Sequence, residues 1–445
     1  LVDGASSYEL ELDVPECVEG AADTLIIATD ADWSNIDSGN HRVVCVQPGV
    51  YTTPHAIHTS GTASKPRWLR WYDPSAASDT ATHPVNMPLA QRAIVKELSF
   101  EGASHWIVDR VTFGSVDEDV PGRFRIMKGS NDHVLNRVLV EHADVNPAVL
   151  VQGDGVQVQH SVIRKQQLIP AGDVLGIKVM SSAAHVRIVS NEIYDMGDAV
   201  HFGENASYLD AVVDNNDLYF TSAVYSDCNG NLDPAGSCAC MENAIDFKGG
   251  GTGPSDPIRI SNNRMWGSRM TDPLCGGTGS DGPLVGYSNT GEVKEYILFE
   301  HNVLYDAPYA TAAGTIVTRA ISYRNNVLYD FSEYAISWQN EGQDGFEAYF
   351  NSIVSSPKGV IKYNSLSKNL DFVCNTVVDA DEPQGSQMAG FYADYNGLFG
   401  VSDFGGEHDV VGSATASENA PFCFVQKRLT APEVFCIPNA IPTSS

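Results

Sequence analysis

The chain has 445 residues, with 56 acidic against 27 basic side chains and a net charge of -29. That balance excludes nucleic acid and an anionic membrane surface as partners. No apolar run approaches the roughly 18 residues needed to cross a bilayer, and the chain opens on Leu1, which is compatible with removal of an export signal.

Residues 1–65 carry Arg42-Val43-Val44-Cys45-Val46-Gln47-Pro48-Gly49-Val50-Tyr51, a strand followed by a turn, and read as an N-terminal cap and first coil. Nine cysteines point to an oxidising compartment. Cys17 and Cys45 lie near the start, and Cys423 and Cys436 near the end. Cys228, Cys238, Cys240 and Cys275 cluster in two Gly/Asp-rich loops. Disulfides fit better than a zinc site, because Cys238 and Cys240 have a single residue between them and no His lies nearby. Cys374, inside an apolar run, reads as a buried free thiol.

From about residue 66 to 399 one short motif recurs, an Asn before two or three apolar or aromatic residues. It begins at Asn191, Asn216, Asn263, Asn302, Asn326, Asn351 and Asn375, with spacings of 25, 47, 39, 24, 25 and 24. Asp109, Asn136 and His160 occupy the matching place upstream. A period of about 24 residues built from short β-type runs, without helical patterning, specifies stacked coils that bury their apolar faces only against one another. The expected fold is all-β, a single-domain right-handed parallel β-helix with the Asn side chains laddered inside a turn. The two long spacings are insertions at 220–241 and 267–283, and residues 400–445 lose the period and read as a C-terminal cap.

The strands before each Asn motif align as columns: 176–180, 199–204, 244–248, 284–288, 315–319, 335–339 and 360–364. Their outward positions read Lys178, His201, Asp246 and Gly286, then Met180, Gly203, Lys248, Ser288, Arg319 and Gln339. Adjacent coils lie about 4.8 Å apart, which puts His201 beside Asp246. Both insertions emerge at this coil, and Gly203 and Gly286 leave the floor low, so Met241–Gly250 reads as the floor of a walled groove. Glu204 and Asp198 border loops and read as turn residues.

Glu, Asp, Lys, His and a nearby Arg suit proton abstraction beside a uronic acid carboxylate, which needs a neutralising cation and a tuned base. Glu242 and Asp246 could hold Ca²⁺ through hard oxygen ligands. Lys248 is the candidate base. Arg269 or Arg319 is the candidate neutraliser or acid, with His201 competing for a catalytic role. Lys178, Gln339 and Glu204 are candidate substrate contacts. Arg164, Lys165, Lys178, Arg319, Lys358, Lys362 and Lys368 could make one basic side for a polyanion.

The repeat together with Glu242-x-x-x-Asp246-x-Lys248 resembles the polysaccharide lyases of the chondroitinase B and alginate lyase type. The resemblance implies acidic residues on one strand for Ca²⁺ (Glu242, Asp246), a Lys base slightly downstream (Lys248) and an Arg one coil later (Arg269). The expected protein is therefore an exported monomer that cleaves an acidic glycan by β-elimination. A glycoside hydrolase pairing Asp246 with Glu242 or Glu204, and a non-catalytic glycan-binding β-helix, are the rival readings.

Overall fold

In the computed structural model the chain is a stack of coils, each contributing strands to three parallel sheets. The structure describes residues 7–74, 82–143, 147–164, 175–203, 207–221, 242–268, 282–287, 294–313, 318–338, 344–356, 358–363, 368–380, 391–394, 396–399, 410–412, 422–428 and 431–437. Among the described residues sheet A and sheet B each have 14 strands and sheet C has 11, and neighbours within a sheet are successive coils. One coil runs through Val212–Asp214 in sheet A, Asp217–Tyr219 in sheet B and Asn243–Phe247 in sheet C. The parallel β-helix expected from the 24-residue period is the fold observed.

Alternation along each strand explains why the coils stack. In sheet C, Ile177, Val200, Ile245, Val285, Ile336 and Ile361 form one buried column. Phe202, Phe247 and Tyr287 form the next, with ring centroids 5.2 and 5.5 Å apart. On sheet B the outward column Tyr194, Tyr219, Trp266, Tyr305 and Tyr329 stacks ring on ring at 4.3 to 5.6 Å.

The Asn ladder lies at the turn from sheet A to sheet B. Each side-chain Oδ1 accepts from both the backbone N–H and the Nδ2 of the Asn one coil earlier, from Asn191 through Asn216, Asn263, Asn302, Asn326 and Asn351 to Asn375 and Asn396. The residue just before each of these Asn, from Ser190 to Cys374, takes a left-handed backbone, with φ between 54° and 60°. Non-glycine residues rarely adopt that conformation, and the buried amide ladder offsets its energy coil after coil.

Upstream the expected ladder positions are shifted. Asn136 Nδ2 donates to Asp109 Oδ1, and Gln159 Nε2 donates to Asn136 Oδ1. These side chains project from strands of sheet A, two residues before the turn. Ser161, not His160, accepts the ladder role, receiving the Val138 N–H. An extended segment crosses this part of sheet A. Gln157 and Gln159 hold the backbones of Tyr8 and Leu10, and a Cys17–Cys45 disulfide closes its other end.

Cys374 is buried, as expected. The loop cysteines Cys228, Cys238, Cys240 and Cys275 lie outside the described residues. At the C-terminal end Phe422–Arg428 and Ala431–Ile437 form an antiparallel pair that sets residue 423 opposite residue 436.

Candidate active site

Sheet C carries the site. Its outward column runs Arg125, Leu150, Lys178, His201, Asp246, Gly286, Ala312 and Ser337, each in register with the next. The order Lys178, His201, Asp246, Gly286 is the one read from the sequence. Arg319 departs from it. The sheet C strand of that coil is Tyr309–Ala313, whereas Arg319 stands exposed on a sheet A strand between Glu295 and Asp344. The sheet C strand of that coil begins seven residues after Asn302, as the strand at Asp198 does after Asn191, which leaves Arg319 to the next sheet A strand.

Asp198, His201 and Asp246 converge. His201 Nδ1 lies 2.9 Å from Asp198 Oδ2 and 3.3 Å from Asp246 Oδ2. One ligand-type atom from each of the three lies within 4.8 Å of the others. All three are buried, at 5%, 1% and 2% exposure for His201, Asp198 and Asp246. Lys248, two residues beyond Asp246, brings its Nζ to 3.2 Å from Asp246 Oδ2 and is half-buried.

The backbone explains the convergence. Asp198 stands three residues before His201, and Asn243 stands three before Asp246, in register one coil away. Asn243 donates its backbone N–H (3.2 Å) and its Nδ2 (3.1 Å) to Asp198 Oδ1. Gly286 makes room for that side chain. A Cβ at position 286 would meet Asn243 Oδ1 at 2.4 Å.

The electrostatics follow from burial. Desolvation, reinforced by the Asp198 charge, pushes Asp246 up to about 6 against the partial relief from Lys248 and His201. Burial alone would lower Lys248. The Asp246 carboxylate and its hydrogen bond, then Asp198 and Glu242, outweigh that and raise it. The resting amine therefore keeps its proton.

The cluster keeps spare accepting capacity. Buried Asp246 Oδ1 has no hydrogen-bond partner, its Oδ2 is met by Lys248 Nζ at 3.2 Å and His201 Nδ1 at 3.3 Å, and buried Asn243 Oδ1 has none. The donor set differs from the calcium pair expected from sequence. Glu242 acts electrostatically on Lys248, but it is not one of the three converging groups. An imidazole and Asp198 stand where a second strand-borne oxygen ligand was expected.

Lys178 is in register with His201, as expected. Arg269, Glu204 and Gln339 lie outside the described residues, as does most of each insertion. The insertions enter between the sheet B and sheet C strands of two successive coils, next to Asn243–Phe247 and Pro283–Tyr287. The proposed basic side does not assemble. Lys178 and Lys362 are on sheet C, Arg164 on sheet B, and Arg319 and Lys368 on sheet A.

Sequence reasoning missed Asp198 and Asn243. Both were legible as a spacing, Asp198-x-x-His201 above Asn243-x-x-Asp246, but the first was read as a turn residue.

No protein-family model and no curated protein matches the sequence. Solved structures do. The PL6 family alginate lyase AlyGC superposes with a TM-score of 0.52 at 12% identity, over 94% of this chain and 55% of that one. An alginate lyase from Paenibacillus sp. str. FPU-7 gives 0.47 at 14% identity, over 68% of this chain and 95% of that one. The catalytic domain of a GH87 α-1,3-glucanase gives 0.45 at 9% identity, over 90% and 70%. The resemblance to β-helical polysaccharide lyases thus holds at the level of the fold, a parallel β-helix shared with AlyGC over nearly the whole of this chain.

Proposed function

We propose that the protein degrades a polysaccharide, and that it cleaves a uronate-containing glycan by β-elimination in the groove on sheet C. The observation that carries this reading is Lys248, an amine on the outward face of sheet C, set 3.2 Å from a carboxylate whose other neighbours are Asp198 and His201. The fold shared with an alginate lyase supports it.

Elimination beside a uronate needs its carboxylate neutralised before the adjacent C–H proton becomes acidic enough to remove. A divalent cation held by Asp198, His201 and Asp246 would supply that neutralisation. Lys248 Nζ is the group that moves the proton. The surrounding carboxylates hold its proton in the resting site, so the amine becomes a competent base only when their charge is compensated. Lys178, one coil before His201 in the same column, is placed to bind a neighbouring uronate carboxylate.

The spacing of the carboxylates favours elimination over glycoside hydrolysis. Hydrolases flank the scissile bond with carboxyl groups about 5 to 9.5 Å apart. Asp246 instead has Asp198 as its near carboxylate, with ligand-type oxygens within 4.8 Å of each other on one imidazole nitrogen, and Glu204 of the hydrolase pairing lies outside the described residues.

The test is a screen of uronate polymers, alginate, polygalacturonate and glycosaminoglycans, followed by ultraviolet absorbance of the unsaturated product. New absorbance that tracks chain shortening is the expected result. Reducing ends released without absorbance would overturn the elimination chemistry, and no cleavage of any glycan would overturn the enzyme reading.

A further inference from the structure

We infer that the cluster of Asp198, His201 and Asp246 is a site for a first-row divalent transition ion of the Mn²⁺ or Zn²⁺ class, not for calcium. The inference does not rest on the elimination chemistry, because it is read by ion binding alone.

The first argument is the donor set. Calcium takes about 6 to 8 oxygen ligands and completes its shell with carbonyls and water. Imidazole nitrogen is instead a ligand for zinc, manganese and their neighbours, which combine it readily with carboxylate. Here the imidazole stands between the two carboxylates, with its Nδ1 facing both. All three side chains are almost fully buried, which leaves little room for a calcium water shell.

The second argument is distance. An ion with ligands at about 2.1 Å holds neighbouring donor atoms about 3.0 to 3.4 Å apart, in right-angled or tetrahedral geometry. Calcium, with ligands at about 2.3 to 2.6 Å, spreads them more widely. The 3.3 Å separation of His201 Nδ1 from Asp246 Oδ2 falls in the range of the smaller ion, and the 2.9 Å one is a hydrogen bond to Asp198 Oδ2 that an ion would replace with little movement of either side chain.

The third is what the protein leaves unmade. Asp246 is buried, yet its Oδ1 has no hydrogen-bond partner and its Oδ2 has only the Lys248 amine at 3.2 Å and the His201 imidazole at 3.3 Å. A buried acceptor left unpaired is costly, and a bound ion would remove that penalty. Asp198 is treated differently, since its Oδ1 accepts twice from Asn243 and its Oδ2 faces the imidazole. This arrangement orients one carboxylate oxygen toward the position the ion would take, as second-shell bonds do around metals. Gly286 keeps Asn243 in that supporting place.

The test is calorimetric titration of the chelator-treated full chain with Mn²⁺, Zn²⁺ or Ca²⁺ alone. One Mn²⁺ per chain is expected, bound at least tenfold more tightly than Ca²⁺, with Zn²⁺ at least as tight as Mn²⁺. Asp246→Asn and His201→Ala are each expected to weaken Mn²⁺ binding by tenfold or more. Lys248→Met, which removes a competing cation, should bind Mn²⁺ at least as tightly as the parent. Pulsed electron paramagnetic resonance of the parent's Mn²⁺ complex should show nitrogen hyperfine coupling, a readout that requires no variant to fold. Tighter binding of Ca²⁺ would overturn the inference, as would the absence of stoichiometric binding or of nitrogen coupling. Mn²⁺ binding unchanged in His201→Ala would place the ion elsewhere, for example at the exposed His185–Asp154 pair, and would also overturn it.

Discussion

Lys248 Nζ stands 3.2 Å from Asp246 Oδ2, the amine following directly on the sheet C strand Asn243–Phe247 that carries the carboxylate. Each group alters the other. The carboxylate holds the proton on the amine, and the amine partly offsets the burial that pushes the carboxylate up to about 6. Replacement of Lys248 by Arg keeps the positive charge but removes a base that can titrate in water. Lys248→Arg is expected to fold normally and to lose about 10²- to 10⁴-fold in kcat, the range typical of a missing proton-transfer group. Retention of full activity would remove Lys248 from its role.

Asp246 makes stability depend on pH. Its folded value lies near 6, above the ordinary 3.8, so the folded state holds a proton that the unfolded chain has released between those values. The carboxylate therefore weighs against folding above pH 6, and that penalty vanishes below about pH 4. The unfolding free energy of Asp246→Asn, compared with the parent, should shift in the variant's favour by about 2–3 kcal/mol from pH 3.5 to 7.5. Denaturant titrations at several pH values measure this, and a pH-independent difference would contradict the shift.

Gly286→Ala tests the support behind the site. The added methyl would meet Asn243 Oδ1 at 2.4 Å, and moving Asn243 breaks its two bonds to Asp198. Overpacking of this kind costs about 1–3 kcal/mol. The variant should lose that much stability and a larger share of activity than of fold, while Gly253→Ala, where a Cβ meets nothing within 4 Å, should be close to neutral.

Asn302→Ala removes a middle rung of the ladder. Asn302 Oδ1 accepts from Asn263 N–H and Nδ2, and its own Nδ2 donates to Ile260 O and Asn326 Oδ1. Asn263 Nδ2 keeps Val213 O and Asn326 Oδ1 keeps the Asn302 backbone N–H, so the deletion takes the acceptor from buried Asn263 N–H and a donor from Ile260 O, at about 1–3 kcal/mol each. A loss of about 2–4 kcal/mol in denaturant unfolding is expected, with hydrogen exchange accelerated in the strands around Asn263 and Asn326.

Reduction of Cys17–Cys45 should release the segment that Gln157 and Gln159 hold by the backbone at Tyr8 and Leu10. The 28-residue separation places the stabilisation at about 2–4 kcal/mol in a chain-entropy account. Thermal unfolding with and without reductant measures it, and hydrogen exchange at Tyr8–Leu10 should rise.

The architecture was legible from the residues alone because it is a translational repeat. A period of 24 residues with Asn at one phase and alternating Ile/Val and aromatic residues at another determines which side chains stack. By that logic the column Lys178, His201, Asp246, Gly286 could be written down before any coordinates, and Lys248 recognised beside Asp246. The column reading failed at Arg319, which lies beyond the sheet C strand of its coil: Thr311 follows Asn302 by nine residues, as Val200 follows Asn191, so Arg319 belongs to sheet A. Upstream, Ser161 substitutes for Asn, and the ladder was assigned two residues early, at Asn136. The partners of Asp246 were a tertiary matter. Asp198 is 48 residues away in the chain, beyond an insertion, and only the registered stacking of two coils brings its carboxylate to the same imidazole nitrogen. Local sequence states which face a side chain occupies. Which donors converge on one point, and hence whether the site suits calcium or a smaller ion, is set by turn lengths and coil register that no single strand contains.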